Sequence, residues 1–426
     1  MRQEDLPSLL LLPYPPDPLS RASLNAAYRS SLKAALSKVK RPTGAAKLVV
    51  AVACPVLQGQ FLHSKTLSWP RAQALVAGVY SIISILCVQL SISTEVDGGP
   101  GSVDATVLLI DGDRNKQYTD DLRPAIEPNN TVIVDMATFA SAFFPWNLIF
   151  TVRSEMGYQV YQTYLKVAEG RQHLLQDQLV PVEGGLTMHI AKADASSLPP
   201  QTATYQTVCL GGTFDYLHPG HKLLLTAGAL LLQVPRRGDP SPPCRYIIGI
   251  TGDEMLKSKK FAEYVQPWEQ RARNVIVFLA RLLELSPRGW KNGTGPRIDE
   301  RDGEFTTIFR DGTIQVRCVR IQDAFGPTIT EENIQALVVS GETRSGGQAV
   351  NDKRAELGWH ALSVFEVDVL DADEIDEDEP TKTENFASKI SSTAIRQQKA
   401  ARDGSKLNHD GGHVQGLIDN SKFTCY

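Results

Sequence analysis

Apolar residues along this chain fall into two rhythms. Short unbroken runs recur at 47–54, 105–110, 131–135, 205–210, 246–251, 314–321, 336–340 and 362–369. Runs of that length bounded by turn residues predict buried strands, of the kind found inside parallel sheets. Between them the spacing changes to about 3.6. Leu75, Val79, Ile82, Ile83, Leu86 and Leu90 share one helix face within 72–94, and Leu223, Ala227, Leu230, Leu231 and Val234 share another within 219–234. Residues 158–176 and 266–285 continue the helical pattern. Strands alternating with helices predict an α/β protein.

The alternation breaks at 194–204, where Ser-Ser-Leu-Pro-Pro-Gln-Thr-Ala-Thr has no apolar period and reads as a linker. Residues 46–193 then form an N-terminal α/β domain closing on a short strand at 186–191, with no recognisable chemical motif. Residues 205–400 form a second domain whose five strands imply a doubly wound parallel sheet. Residues 401–426 are read as a tail. Residues 1–45 are read as a flexible leader and a helix, because Pro7, Pro13, Pro15, Pro16 and Pro18 break the apolar stretch 6–19. Glu4 and Asp5 stand where a signal peptide needs basic residues. Residues 21–41 contain Ser, Ala, Lys and Arg without an acid; a surface amphipathic helix is preferred to a mitochondrial presequence. Residues 72–94 are uncharged and nearly long enough to span a bilayer, but their polar positions and helical spacing fit a buried core helix. The acidic insertion 371–385 opens with seven acids among residues 371–379 and reads as a solvated loop.

Composition adds boundaries. The chain has 426 residues, 42% hydrophobic and 22% charged, as soluble globular proteins do. A net charge of −4 offers no electrostatic footprint for nucleic acid, and no membrane partner is expected. Six cysteines lie far apart with no C-x-x-C pair, which suits a reducing compartment, the cytoplasm or the nucleus. No protein-held metal site is expected.

The chemistry is concentrated in Gly211-Gly212-Thr213-Phe214-Asp215-Tyr216-Leu217-His218-Pro219-Gly220-His221, which joins the strand 205–210 to the following helix. A Gly-rich turn lets backbone N–H groups approach phosphate oxygens, and the helix start adds positive potential. Two histidines on the first helical turn suit phosphoryl or nucleotidyl transfer. Pro219 fits the first helical position, where no N–H is needed. In a parallel sheet this junction lies where ligands bind. A second block, Ser391-Ser392-Thr393-Ala394-Ile395-Arg396, places hydroxyls at a helix start and a guanidinium one turn on.

The first block resembles the H-x-G-H signature of the nucleotidylyltransferases. The second, with Lys389 and Ile390, resembles their I-S-S-T-x-x-R motif. Val338-Val339-Ser340-Gly341-Glu342-Thr343, followed by Gly346, Gly347, Asn351 and Arg354, is similar to eukaryotic phosphopantetheine adenylyltransferases; archaeal members share its start. The resemblance covers about 205–397 and leaves 1–200 unexplained. It implies a Rossmann-like nucleotidylyltransferase that moves AMP from ATP to 4′-phosphopantetheine, giving dephospho-coenzyme A and pyrophosphate, with Mg²⁺ accompanying ATP. By resemblance, His218, His221, Lys257 and Arg396 are catalytic. ATP is bound by Gly211, Gly212, Thr213, Phe214, Gly220, His221, Gly341, Glu342, Thr343, Ser391, Ser392, Thr393 and Arg396. Phosphopantetheine is bound by Thr213, Lys257 and Lys259, with Lys260 a further competitor for the lysine role. Asp323-Ala324-Phe325-Gly326-Pro327 departs from the family's D-P-Y-G-P loop in its second and third residues. No G-x-x-x-x-G-K-[ST] sequence occurs, so no P-loop kinase is expected in this chain. Nicotinamide mononucleotide, flavin mononucleotide or a phospho-alcohol are alternative acceptors. A non-catalytic scaffold, docking other coenzyme A enzymes through residues 1–200, is the alternative from another class.

Overall fold

In the computed structural model, residues 6–59, 66–96, 98–112, 129–142, 145–169, 174–186, 201–236, 238–284, 296–368, 370 and 391–410 are described, without the side chains of Glu342 and of 404–410. The N-terminal unit contains β1 Ser8–Leu12, α1 Arg21–Val39, β2 Ala46–Cys54, the short hairpin β3 Leu57–Gln58 and β4 Thr66–Leu67, and α2 Trp69–Gln89. It continues with β5 Val103–Asp111, β6 Val134–Asp135, α3 Met136–Ala142, β7 Ile149–Arg153, α4 Glu155–Ala168 and β8 Leu179–Glu183. Six of these strands form one parallel sheet in the order β6-β5-β2-β1-β7-β8.

Residues 8–12, expected within a flexible leader, are a central strand of this sheet. All five are buried, and they pair with β2 on one side and β7 on the other. Pro7 and Pro13 bound the strand without interrupting it. A parallel strand covered on both faces shows no polar alternation to announce it. Helix α1 follows, capped by the Ser20 hydroxyl, and buries Leu24, Tyr28, Leu32 and Leu36. Helix α2, charged only at Arg71 in its first turn, is long and apolar enough to cross a membrane, but most of it is buried in the protein core. Three expectations shift. The strand at 131–135 shrinks to β6, because the Thr131 hydroxyl turns back onto Asn129 Oδ1 at 2.6 Å. The helix at 158–176 occupies Glu155–Ala168, started by the Ser154 cap. The closing strand is β8 rather than 186–191, of which 187–191 lie outside the described residues.

The C-terminal unit is built from β9 Thr207–Gly212, α5 Pro219–Ala229, β10 Cys244–Thr251, α6 Trp268–Leu283, β11 Asp299–Arg301, β12 Glu304–Phe309, β13 Ile314–Ile321, β14 Ala336–Ser340, α7 Arg344–Glu356, β15 Ser363–Val367 and α8 Ser392–Asp410. Its sheet runs β11-β12-β13-β10-β9-β14-β15. The last five are parallel, the doubly wound arrangement expected from sequence. The antiparallel pair β11–β12 extends the edge of β13, within a stretch read from sequence only as polar. Helix α8 continues past residue 400, so the expected tail begins as helix; residues 411–426, like 194–200 and the acidic insertion 371–385, lie outside the described residues.

The two units share one hydrophobic cluster. Helix α2 lies against both α1 and α5. The Trp69 indole N–H donates to the Ala227 carbonyl at 2.9 Å, and its ring meets Phe365 at 5.2 Å. Gln73 donates to Asp368 Oδ2 at 2.8 Å and accepts from the Asp368 N–H at 3.2 Å. Thr202, in the expected linker 194–204, bridges Leu67 and accepts from the Trp69 N–H. Asp104 of β5 is buried between Lys222 of α5, at 2.6 Å, and Arg281 of α6. Burial pushes its carboxyl up, but Arg281 and Lys222 together hold it at about 2.

Candidate active site

Strand β9 delivers the Gly211–Gly212 pair to the carboxyl end of the sheet, between β10 and β14. In spatial order the parallel strands run third, second, first, fourth, fifth, so the switch point lies between β9 and β14. The turn that follows is strained. Phe214 has φ 52° and Tyr216 φ 44°, a left-handed conformation uncommon for residues with bulky side chains. Burial of Phe214 and a clamp from Gln266 maintain it. Gln266 donates its N–H to Asp215 Oδ1 at 2.9 Å, and its Oε1 accepts from the Tyr216 N–H at 2.9 Å. The Tyr216 hydroxyl donates to the Tyr264 carbonyl at 2.6 Å.

His218 caps α5 in an extended conformation, and Pro219 takes the first helical position. His218 and His221, three residues apart, stack with centroids 3.9 Å apart and planes at 26°. Phe214 packs on His221 at 5.2 Å. Both Nδ1 atoms are buried and have no hydrogen-bond partner. Burial, and then Lys222, lower the His218 pKa to about 4. Burial, then any charge on His218 and the charges of Arg271 and Lys259, lower that of His221 well below the usual value. Both rings are therefore neutral at pH 7, each with one N–H to donate. Gly220 lies close against the ring beside it: a Cβ there would stand 3.2 Å from His218 Cε1, so the ring would have to shift.

The second block is tied directly to the first. The Ser392 hydroxyl donates to the Asp215 carbonyl at 2.7 Å, and Ser391 Oγ accepts from the Ala394 N–H at 3.3 Å. Arg396 differs from expectation. Its guanidinium is buried and engaged throughout: Nη1 on Asp215 Oδ2 at 2.6 Å, Nε on the Lys260 carbonyl at 3.1 Å, and Nη2 on Thr393 Oγ1 at 3.0 Å. Here it pins the start of α8 against the strained turn instead of facing a departing anion. Burial pushes the Asp215 carboxyl up, against the Gln266 N–H and Arg396.

The lysines separate. Lys257, preferred from sequence, is exposed and pairs with Glu254 at 2.5 Å, whereas Lys259 lies close enough to His221 to act on its titration. Lys260 contributes its carbonyl to Arg396. At the end of β14, Gly341–Thr343 form a 3-10 turn. The Thr343 hydroxyl accepts from the Ser340 N–H and donates to its carbonyl, at 3.1 and 3.2 Å. The Glu342 side chain, Lys389 and Ile390 lie outside the described residues. Asn351 and Arg354 are internal braces: Asn351 exchanges two bonds with the backbone of Leu362, and the buried Arg354 donates to the carbonyls of Thr328, Glu331, Glu332 and His360.

Sequence reasoning missed Arg271. From α6 this buried guanidinium donates to the carbonyls of Thr213 at 2.7 Å, Thr251 at 2.8 Å and Gln266 at 2.8 Å, and to Asp253 at 2.6 Å. It joins the loops after β9 and β10 behind His221. An arginine on the same helix stripe as Trp268, Ala272, Val275 and Leu279 was the available signal.

Comparison with known proteins agrees with this geometry. A cytidylyltransferase-like family matches residues 209–398, and a domain of unknown function matches residues 1–188. An uncharacterized protein of Schizosaccharomyces pombe is 32% identical over 212 residues, 50% of this chain and 54% of that protein. The phosphopantetheine adenylyltransferase of Saccharomyces cerevisiae is 32% identical over 198 residues, 46% of this chain and 50% of its own length. The chain thus spans about half the length of these two yeast relatives. The phosphopantetheine adenylyltransferase of Pyrococcus horikoshii is 31% identical over 166 residues, 39% of this chain and 80% of its own length. With an archaeal relative covered over four-fifths of its length, and the histidine turn tied to the start of α8, the chain belongs to the cytidylyltransferase-like nucleotidylyltransferases of phosphopantetheine adenylyltransferase type.

Proposed function

We propose that the protein transfers AMP from ATP to 4′-phosphopantetheine, in the cytoplasm, releasing pyrophosphate and forming dephospho-coenzyme A. The observation that carries this reading is the pair of neutral imidazoles with unpartnered nitrogens, stacked at the start of α5 beside a second helix start presenting Ser391, Ser392 and Thr393. An acceptor phosphate oxygen attacks the α-phosphorus in line. The bond from that phosphorus to the β-bridging oxygen breaks as the new P–O bond forms. The nucleophile is already an anion, so no strong base is needed, and catalysis rests on positioning and charge stabilisation. His218 and His221 donate N–H groups toward the α-phosphate oxygens. In this reading Lys259, whose charge acts on His221, is the lysine shared by the α-phosphate and the acceptor phosphate. The start of α8 takes the β- and γ-phosphates, held in place by Arg396.

Among the described residues no group of three or more His, Cys, Asp or Glu could hold a metal ion. In this reading Mg²⁺ arrives with ATP, held by phosphates and water. The test is pyrophosphate release from ATP with a panel of acceptors. Release is expected with 4′-phosphopantetheine and lost in His221→Ala. Release with nicotinamide mononucleotide, flavin mononucleotide or a phospho-alcohol instead would replace the acceptor assignment. A folded protein inert toward every acceptor would leave the scaffold role.

A further inference from the structure

Strand β5 of the N-terminal sheet is paired along its whole length by β2, but by β6 only at Ile110 and Asp111. The rest of its second edge would present unpaired backbone groups, which proteins ordinarily cover. Here the cover includes the histidine helix itself. The Lys222 ammonium, from the residue after His221, donates to the Ala105 carbonyl at 3.0 Å and to Asp104 Oδ1 at 2.6 Å. The Lys222 backbone N–H donates to the His218 carbonyl at 3.0 Å, the first bond of α5. One buried carboxylate is therefore one residue, Lys222, and two hydrogen bonds away from the residue that caps the helix.

Two further contacts reach the same crevice from the N-terminal unit. Glu95 pairs with Lys399 at 3.4 Å on α8, and the Lys399 ammonium sits 4.5 Å over the Tyr216 ring in the strained turn. Gln73 holds Asp368, just beyond β15. The N-terminal unit thus grips both helices whose starts form the candidate phosphate site.

We propose that the N-terminal unit is a working part of the nucleotidyl-transfer site, with Asp104 as its positioning residue, fixing the histidine helix through Lys222. The inference rests on the transfer reading given above. Asp104 touches no substrate; it acts by holding Lys222, and with it the His218–His221 pair, in one place relative to α8. Displacement of reacting groups by an ångström costs on the order of 100-fold in rate. A cover that only kept α5 dry would show no such cost once the protein had folded.

The test uses the full chain carrying Asp104→Asn, which keeps the side chain's shape and removes its charge. Lys222→Met is the second variant; it leaves Asp104 paired with Arg281 and orphans no buried charge, so folding is retained even if Asp104→Asn does not fold. Circular dichroism and a cooperative melt establish folding. In each folded variant, kcat is expected to fall about 10- to 100-fold, the KM for ATP to stay within about threefold, and the Hε1 signals of His218 and His221 to move in proton NMR. Glu183→Gln, at the far edge strand β8, should change none of these. A folded Asp104→Asn or Lys222→Met protein with turnover within about twofold of wild type and unmoved histidine signals overturns the proposal. If the wild-type protein transfers to no acceptor, the activity reading fails, and the histidine signals decide the positioning role by themselves.

Discussion

His218→Asn should remove a defined part of the acid sensitivity of this fold. In the folded protein the imidazole has its pKa at about 4, because burial and Lys222 oppose its charged form. In the unfolded chain the value returns to about 6.5. Between those limits the unfolded state binds more protons, so stability falls as pH falls. The contribution is fully present above about pH 6.5 and fully lost below about pH 4. At pH 5 the neutral-ring requirement costs about 2 kcal/mol, and below both values about 3 kcal/mol, less what solvent screens at the ring's open edge. Asparagine is a good helix cap, so the variant should stay folded and differ little at pH 7.5. Urea unfolding at pH 7.5 and pH 5.0 should show wild type losing about 2 kcal/mol more than the variant. A proton NMR titration should place the His218 Hε1 midpoint well below 6. A midpoint near 6.5, or equal losses in both proteins, would refute the buried, unpartnered state assigned to this ring.

Four further outcomes follow from the same geometry. Arg396→Met strands the buried Asp215 carboxylate and should cost about 3–5 kcal/mol in denaturant unfolding, much of it recovered when Asp215→Asn is added. Lys259→Ala should lower turnover on the order of 10- to 100-fold while Lys257→Ala, removing an exposed pair, changes it less than about threefold; the reverse order would reinstate Lys257. Gly220→Ala should keep its melting behaviour but lose turnover, because the new methyl presses on the His218 ring; steady-state kinetics beside a melt would separate the two. Removing residues 1–200 should leave an aggregation-prone remainder, since α5 and α6 would expose apolar surface and the Lys222–Arg281 pair would lose Asp104; a soluble, monodisperse, active fragment by size-exclusion chromatography would contradict the shared core.

What the sequence disclosed was local. The five parallel C-terminal strands and the histidine turn are each written within a dozen residues, so apolar runs and Gly-Pro punctuation suffice to find them. The Asp215–Arg396 pair joins residues 181 positions apart, and nothing in either block says that the arginine will spend its donors inside the protein. Choosing among Lys257, Lys259 and Lys260 needs side-chain direction, which only the turn after β10 supplies. Strand β1 was obscured by its flanking prolines, which were weighed as breakers although they stand just outside the buried run. Asp104 stands just before the apolar run 105–110, and its partner Lys222 is 118 positions away.

The site rests on loops, and loops lack ladders to hold them. Buried guanidinium groups supply the missing order. Arg271 ties the turns after β9 and β10, Arg396 ties that same turn to α8, and Arg354 ties α7 to the segment after β13. Arg310 does the equivalent between units, donating to the carbonyls of Leu283, Thr131 and Val132. A guanidinium offers five donors in one plane, so a single side chain can satisfy carbonyls from three separate segments. A lysine ammonium has three donors and no plane, and could not hold the same carbonyls together. Each brace is bought by burying a charge, and backbone carbonyls with one carboxylate or none must offset it. The same cost keeps both imidazoles neutral: burial opposes their charged forms first, and Lys222 behind His218 and Arg271 behind His221 add to it. The arginines fix the geometry in advance, so that in the proposed transfer the site's hydrogen-bond donors would need little rearrangement, which is the condition for electrostatic catalysis.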